Sequence, residues 1–342
     1  MSQLTFREFS RNIQRQVDDV LTRFLKEKER EFGRVHPLGR EIIKEVRRSL
    51  KGGKRLRPAL VVIGYLAGGG KNVKNILPAA AGIELFHLYT LLHDDIMDRS
   101  LLRRGKPASY VHLGRLFKNE HLGIALTILI GSLLKTFSDE LLGRANVRSQ
   151  ELKSAIDFFT MLKNEVELGQ YLDLRLQKSK RLTESDVIKI ITHKTAKNSF
   201  ERPLHTGAAL AGARPTIIKA LSRYALPLGV AFQIQDDILG VFGNEKETGK
   251  PTDSDIKEGK PTLLKVIALK NTKGKEKTFL LKTLGNPLAR TGDVARVRKI
   301  FRSSGAYDTA RRRARQLLNK AKKSTNRILL LGLADFLENR KF

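Results

Sequence analysis

The stretch "LLHDDIMDRSLLRRGKP", Leu91 to Pro107, sets Asp94, Asp95 and Asp98 just ahead of Arg103 and Arg104. Carboxylates four residues apart on a helix lie about 40° apart around the axis and about 6 Å along it, so Asp94 and Asp98 point the same way. Like charges so placed repel, and a hard divalent ion with oxygen ligands relieves the repulsion. Mg²⁺ suits a site with few protein carboxylates, because it keeps waters and takes further ligands from phosphates. Taken alone, the same pattern also describes a solvated helix end laced with ordinary charge pairs.

A second acidic cluster stands about 140 residues further on, in "FQIQDDILGVFG". Gln233, Asp236 and Asp237 are embedded there among Phe232, Ile234, Ile238 and Leu239. Those flanking residues predict a largely buried helix end, and buried carboxylates need partners. Two acid pairs on separate apolar helices predict opposing walls of one cavity, with metal ions and an anionic ligand between them.

Cations stand near each cluster. "GGKRLRP" offers Gly53, Lys54, Arg55 and Arg57 just ahead of an apolar helix, an arrangement that grips phosphate through backbone N–H groups and cationic forks. It is not a Walker A loop, because Arg48 occupies the position where that motif requires glycine. "GGGK" at Gly68 to Lys71 also lacks the spacing and reads as a loop. Arg103, Arg104, Lys194 and Thr195 in "HKT", and Lys250 and Lys260 in "GKPTDSDIKEGKPT" complete the set. His87 and His93, six residues apart, diverge by about 120° on a helix and make a poor zinc pair, so hydrogen bonding is the expected role.

The elements that must position these groups are helices. Apolar residues recur at three- and four-residue spacing, as in Ile42, Ile43 and Val46, then Ile156, Phe159, Leu162 and Val166. Gly and Pro clusters partition the chain into roughly a dozen helices with no long low-complexity linker. The expected fold is all-α, one domain over residues 1–342, with the helices around a central cavity. The absence of Cys excludes a thiol nucleophile and a disulfide framework.

The formal net charge of +30 invites a polyanionic partner, and residues 311–327 carry eight Lys and Arg without an acid. Ala310, Ala314, Leu317, Leu318 and Ala321 recur there at helical spacing, so the segment reads as an amphipathic helix with a solvated basic face. The polar start "MSQLTFREFSRNIQRQ" predicts no secretory signal, and a cytoplasmic location is expected. The longest apolar run, Leu122 to Leu134, falls short of the roughly 20 residues of a membrane span and predicts a core helix.

The ordered set "GGKRLRP", "HDDIMD" followed by "RRGKP", "GQYLDL", "HKTA", "FQIQDDILGVFG", "GKPTDSDIKEGK" and "LADFLENRKF" resembles the trans-isoprenyl diphosphate synthase family from about Val35 to Phe342. Within it the similarity is greatest to archaeal-type short-chain geranylgeranyl and farnesyl diphosphate synthases. The resemblance implies condensation of isopentenyl diphosphate with an allylic diphosphate, whether dimethylallyl, geranyl or farnesyl, by a homodimer using two or three Mg²⁺ ions. It assigns metal to Asp94, Asp98 and Asp236, with Asp95, Asp237 and Asp173 supporting. Arg103, Lys194, Lys260 and Lys250 are implied for the allylic diphosphate, and Gly53, Lys54, Arg57, His87 and Arg104 for isopentenyl diphosphate. Thr195 and Gln233 are implied near the developing carbocation. The second motif departs from the pattern, with Gly240 where many relatives carry a third aspartate.

By the same analogy the growing chain runs from the aspartates past Thr90, Tyr89 and Phe86. One aromatic at the fifth position upstream, Tyr89, with the small Thr90 at the fourth, resembles enzymes of the twenty-carbon product. A fifteen-carbon or mixed product is the alternative. A terpene cyclase is disfavoured by "QIQDD", and retention of both acidic motifs weighs against a silent regulatory subunit. A basic, non-catalytic scaffold for nucleic acid leaves the acids unexplained, so no nucleic acid partner is expected, although weak association with an anionic membrane surface fits the charge.

Overall fold

The first helix forms because its apolar residues fall on one stripe and its start carries its own cap. In α1, Phe6–Val35, the buried residues Phe6, Phe9, Ile13, Val17, Leu21 and Phe24 recur at that spacing. Its start is a capping box, with the Glu8 backbone N–H donating to Thr5 Oγ1 at 3.3 Å and the Thr5 N–H to Glu8 Oε2 at 2.9 Å. The computed structural model describes residues 5–177, 179, 181–243 and 252–338, and these are all-α apart from one short hairpin.

In chain order there follow α2 (Gly39–Leu50), α3 (Leu56–Ala67) and α4 (Leu77–Met97), the last entered through a 3₁₀ turn at Val73–Ile76. Strands β1 (Leu102–Arg103) and β2 (Lys106–Pro107) form the hairpin. Then come α5 (Ser109–Leu116), α6 (Glu120–Gly143), α7 (Ser149–Leu176), α8 (Glu184–Ile190), a π-helical segment (Ile191–Glu201), α9 (Arg202–Leu210) and α10 (Pro215–Phe242). The chain ends with α11 (Ser254–Glu258), α12 (Leu263–Asn271), α13 (Gly274–Thr283), α14 (Thr291–Ser303), α15 (Ala306–Lys323) and α16 (Ile328–Glu338).

The chain divides into two compact units, one of Met1–Phe158 with Pro203–Ile217, the other of Phe159–Arg202 with Ile218–Phe342. In the first, α4 is the central element and almost wholly buried from Leu77 to Tyr89. It lies so close to α6 that a Cβ on Gly131 would meet His93 Nε2 at 2.3 Å. In the second, Val187, Ile191, Ile234, Ile238, Leu264, Val297 and Phe301 form one continuous core.

Hydropathy understated α6. Lys135, Asp139 and Glu140 interrupt the apolar run without interrupting the helix, because ionised side chains on one flank leave the backbone ladder intact. By length and composition alone, Val73–Met97, Glu120–Gly143 and Pro215–Phe242 are each long and apolar enough to cross a membrane. Of the apolar window in Val73–Met97, 72% is buried inside the protein, whereas in Glu120–Gly143 only 39% is, so α6 is not the core helix expected: it packs one face on α4 and leaves Ile128 and Leu129 exposed.

Candidate active site

In the first unit the acids sit where α4 runs out. The Asp98 N–H donates to Asp94 O and the Ser100 N–H to Asp95 O, each at 2.8 Å, so all three aspartates fall in the last turn and its cap. A helix C-terminus carries the negative end of the backbone dipole, which makes carboxylates there costly and strengthens the demand for a cation. Asp95 meets that demand with protein: it is buried, and Arg103 grips it through Nε, 2.9 Å from Oδ1, and through Nη2. Asp94 and Asp98 are half-buried.

Arg103 reaches Asp95 because of the hairpin. Arg103 pairs with Lys106, leaving Arg104 and Gly105 as a two-residue loop with φ of 54° and 71°, the left-handed pair a tight hairpin turn requires. The turn sends Arg104 the other way, where Nη1 donates to Lys51 O at 3.1 Å, beside the "GGKRLRP" segment.

That segment is held by Arg55, one of the cations expected to grip phosphate, which is instead engaged by the protein. Arg55, at φ 51°, points inward and donates to Asp18 Oδ1 at 2.8 Å, Glu84 Oε1 at 3.0 Å and Leu50 O at 3.0 Å. Lys54 is thereby left exposed and Arg57 half-buried. Burial, with Arg104 adding and Glu84 opposing, brings the Arg57 guanidinium down to about 10. His87 is held well below the ordinary histidine range by burial and then by Arg57, Arg104, Arg103 and Arg55. The positive potential of these arginines favours the uncharged imidazole, which can still form hydrogen bonds.

Downstream of His87 along α4, Thr90 turns its hydroxyl back to donate to His87 O at 2.8 Å. Phe86 and Tyr89 are both buried, their ring centroids 5.4 Å apart, and Tyr89 also lies 4.6 Å from His93 and under Lys135 at 5.3 Å.

In the second unit the π-helical segment carries Lys194 and Thr195. Gly169 of α7 admits it, since a Cβ there would stand 2.3 Å from Lys194 N. Lys194 Nζ donates to Asp173 Oδ2 on α7. Thr195 Oγ1 donates to Gln233 Oε1, and Gln233 Nε2 to Asp237 Oδ1, both at 2.7 Å, so one chain of hydrogen bonds ends on the second acidic motif. Asp236 is exposed, whereas Asp237 is buried and pushed up to about 8 by that burial, against the Gln233 hydrogen bond and with Asp255 and Asp236 adding.

Gly240 has a spatial reason. A Cβ at that position would stand 2.2 Å from Asp255 Oδ2, so the glycine leaves room for a carboxylate delivered by α11. Lys260 Nζ lies 3.3 Å from Asp255 Oδ1 and 3.4 Å from Glu258 Oε2. Lys250 lies outside the described residues.

Asp255 was thus missed, as were two positioning groups. Buried Lys265 donates from Nζ to Gln177 O at 2.6 Å and Gly259 O at 2.8 Å, tying the end of α7 to the turn that carries Lys260. Burial lowers it to about 8. Its signal was a single lysine inside the apolar run "TLLKVIAL". Arg298 binds Val241 O at 2.7 Å and Thr252 Oγ1 at 2.8 Å, and no local pattern announces it.

Among the described residues no three His, Asp or Glu converge as a ready-made metal cage. The class is an all-α protein with acids at exposed and half-buried helix ends and with Arg103 and Lys194 each held by a buried aspartate.

Comparison with known proteins narrows the class. A family model described as polyprenyl synthetase matches residues 40–302. A geranylgeranyl diphosphate synthase of Saccharolobus solfataricus is 37% identical over 268 residues, covering 76% of this chain and 77% of its own. A geranylfarnesyl diphosphate synthase of Aeropyrum pernix is 33% identical, over 81% and 84% of the two chains. A geranylgeranyl pyrophosphate synthase of Corynebacterium glutamicum, solved with isoprenyl diphosphate and magnesium, superposes with a TM-score of 0.91 at 30% identity, covering 99% of this chain and 100% of its own. The chain belongs to the polyprenyl synthetase family and is an enzyme of the prenyltransferase class.

Proposed function

We propose that the chain condenses isopentenyl diphosphate with allylic diphosphates to a short all-trans prenyl diphosphate, the twenty-carbon geranylgeranyl compound. The observation that carries this reading is a cavity of the first unit lined by Lys51, Gly52, Asp95, Arg103 and Arg104. Isopentenyl diphosphate ionises no bond of its own and needs charge compensation without a metal, which such a pocket supplies.

In the reaction the allylic C–O bond breaks and pyrophosphate leaves with the electron pair. The isopentenyl double bond closes the new C–C bond on the resulting cation, and loss of a proton, taken by the released pyrophosphate, restores a double bond. Arg103, fixed by Asp95, and Lys194, fixed by Asp173, are set to hold diphosphate oxygens. Gln233 and Thr195 present oxygen dipoles suited to a developing carbocation. Lys260 adds charge, and Lys250 is proposed for the same task.

The donor set fits Mg²⁺, two or three ions, with Asp94, Asp98 and Asp236 as ligands and Asp237 in support. The metal supplies Lewis acidity to the leaving pyrophosphate. Product length is assigned to Tyr89, whose buried ring is wedged between Phe86 and His93 and cannot swing aside without emptying core.

A homodimer is supported by α6, whose Leu122, Ile128 and Leu129 are exposed at 37%, 43% and 60%. We take residues 1–342 as one catalytic domain acting in the cytoplasm, since the family match runs through both units. Incubation with labelled isopentenyl diphosphate, each allylic primer and Mg²⁺, followed by chain-length analysis, tests the reading. The expected main product has twenty carbons; no incorporation overturns the enzyme, and a fifteen-carbon product overturns the length.

A further inference from the structure

Between Lys270 and Arg327 the chain carries eighteen Lys and Arg against three acids, a net +15, half of the total of +30. None of the catalytic groups above lies in that span, so the substrates do not account for the charge.

α13 presents this charge with a second feature. Its Leu280 and Thr283 are buried, whereas Lys277, Leu281 and Lys282 are exposed on its outer face. Leu281 is 57% exposed at the middle of that face, and Leu288, in the turn that follows, is 85% exposed. Arg296 of α14 stacks on Phe279 of α13 at 4.1 Å, which packs the next basic helix against the same corner. Solvated lysines alone are an ordinary helix face, whereas Leu281 set between Lys277 and Lys282, with Leu288 beyond, suits a partner that is both anionic and oily.

We propose that α13 and the turn to Leu288 dock on an anionic lipid bilayer, the lysines at the headgroups and Leu281 and Leu288 below them. Nucleic acid matches the charge and gives the leucines nothing to contact. The surface goes beyond the proposed reaction, but a water-insoluble prenyl product gives the docked position a use.

Flotation of the full chain with vesicles of mixed phosphatidylcholine and phosphatidylglycerol, against pure phosphatidylcholine, tests it. Binding is expected to the acidic vesicles only and to weaken with salt. Leu281→Ser with Leu288→Ser abolishes flotation, and Lys277→Gln with Lys282→Gln weakens it about thirtyfold, from ~1 kcal/mol per basic residue near an acidic surface. Prenyltransferase activity without vesicles stays unchanged in both variants, which separates failure of docking from failure of the proposed function. Equal binding to neutral vesicles, no binding, or binding to duplex DNA that ignores the leucine changes overturns the proposal.

Discussion

Arg103 closes on Asp95 with two nitrogens, Nε lying 2.9 Å from Oδ1 and 3.2 Å from Oδ2 of a carboxylate that is buried. The middle aspartate of "HDDIMD" thus serves the arginine and is buried, whereas Asp94 and Asp98 on either side are half-buried. Three acids that look equivalent in sequence have distinct surroundings.

That division predicts two phenotypes. Asp94→Ala abolishes turnover, by about a hundredfold or more in kcat, while circular dichroism and the thermal midpoint stay near the parent. Asp95→Asn removes the buried charge that pairs with the half-buried Arg103 guanidinium and lowers stability by about 3 kcal/mol, read as a drop in urea midpoint, with a raised KM for the allylic substrate. Near-normal kcat in Asp94→Ala removes the metal assignment.

Tyr89 is expected to set the product. Tyr89→Ala opens space beneath Thr90 and shifts chain-length distribution above twenty carbons, at a cost of about 3 kcal/mol for the cavity. An unchanged distribution in radio-chromatography places the floor elsewhere.

Asp237 gives the metal-free protein a pH dependence. Its carboxyl is raised from the ordinary 3.8 to about 8, so the native state binds this proton more tightly than the unfolded chain does. Its contribution to stability is therefore full below about pH 4 and falls as pH rises towards about 8. Urea midpoints without metal should decline across that window more steeply in the parent than in Asp237→Asn, and added Mg²⁺ should flatten the parent's slope. Equal slopes would refute the assignment.

Lys265 is expected to act at a distance. Lys265→Met leaves the carbonyls of Gln177 and Gly259 without their donor and loosens the turn bearing Lys260. KM for the allylic diphosphate should rise severalfold while kcat for isopentenyl saturation changes little; a lowered melting temperature with unaltered KM would make the residue merely structural.

Residue types and spacing alone determined the all-α class, both acidic motifs and the cation runs beside them, because helical periodicity and local charge are properties of neighbouring residues. Lys54, Arg55 and Arg57 show where that stops. Three cations in four positions look interchangeable until a left-handed φ turns Arg55 onto Asp18 and Glu84, partners 37 and 29 residues away that are invisible to local pattern. Gly240 looked like a lost ligand until α11 folded Asp255 against it. Only tertiary structure decides such matters, since burial and long-range pairing fix which charges are spent on the protein itself and which stay available to substrate.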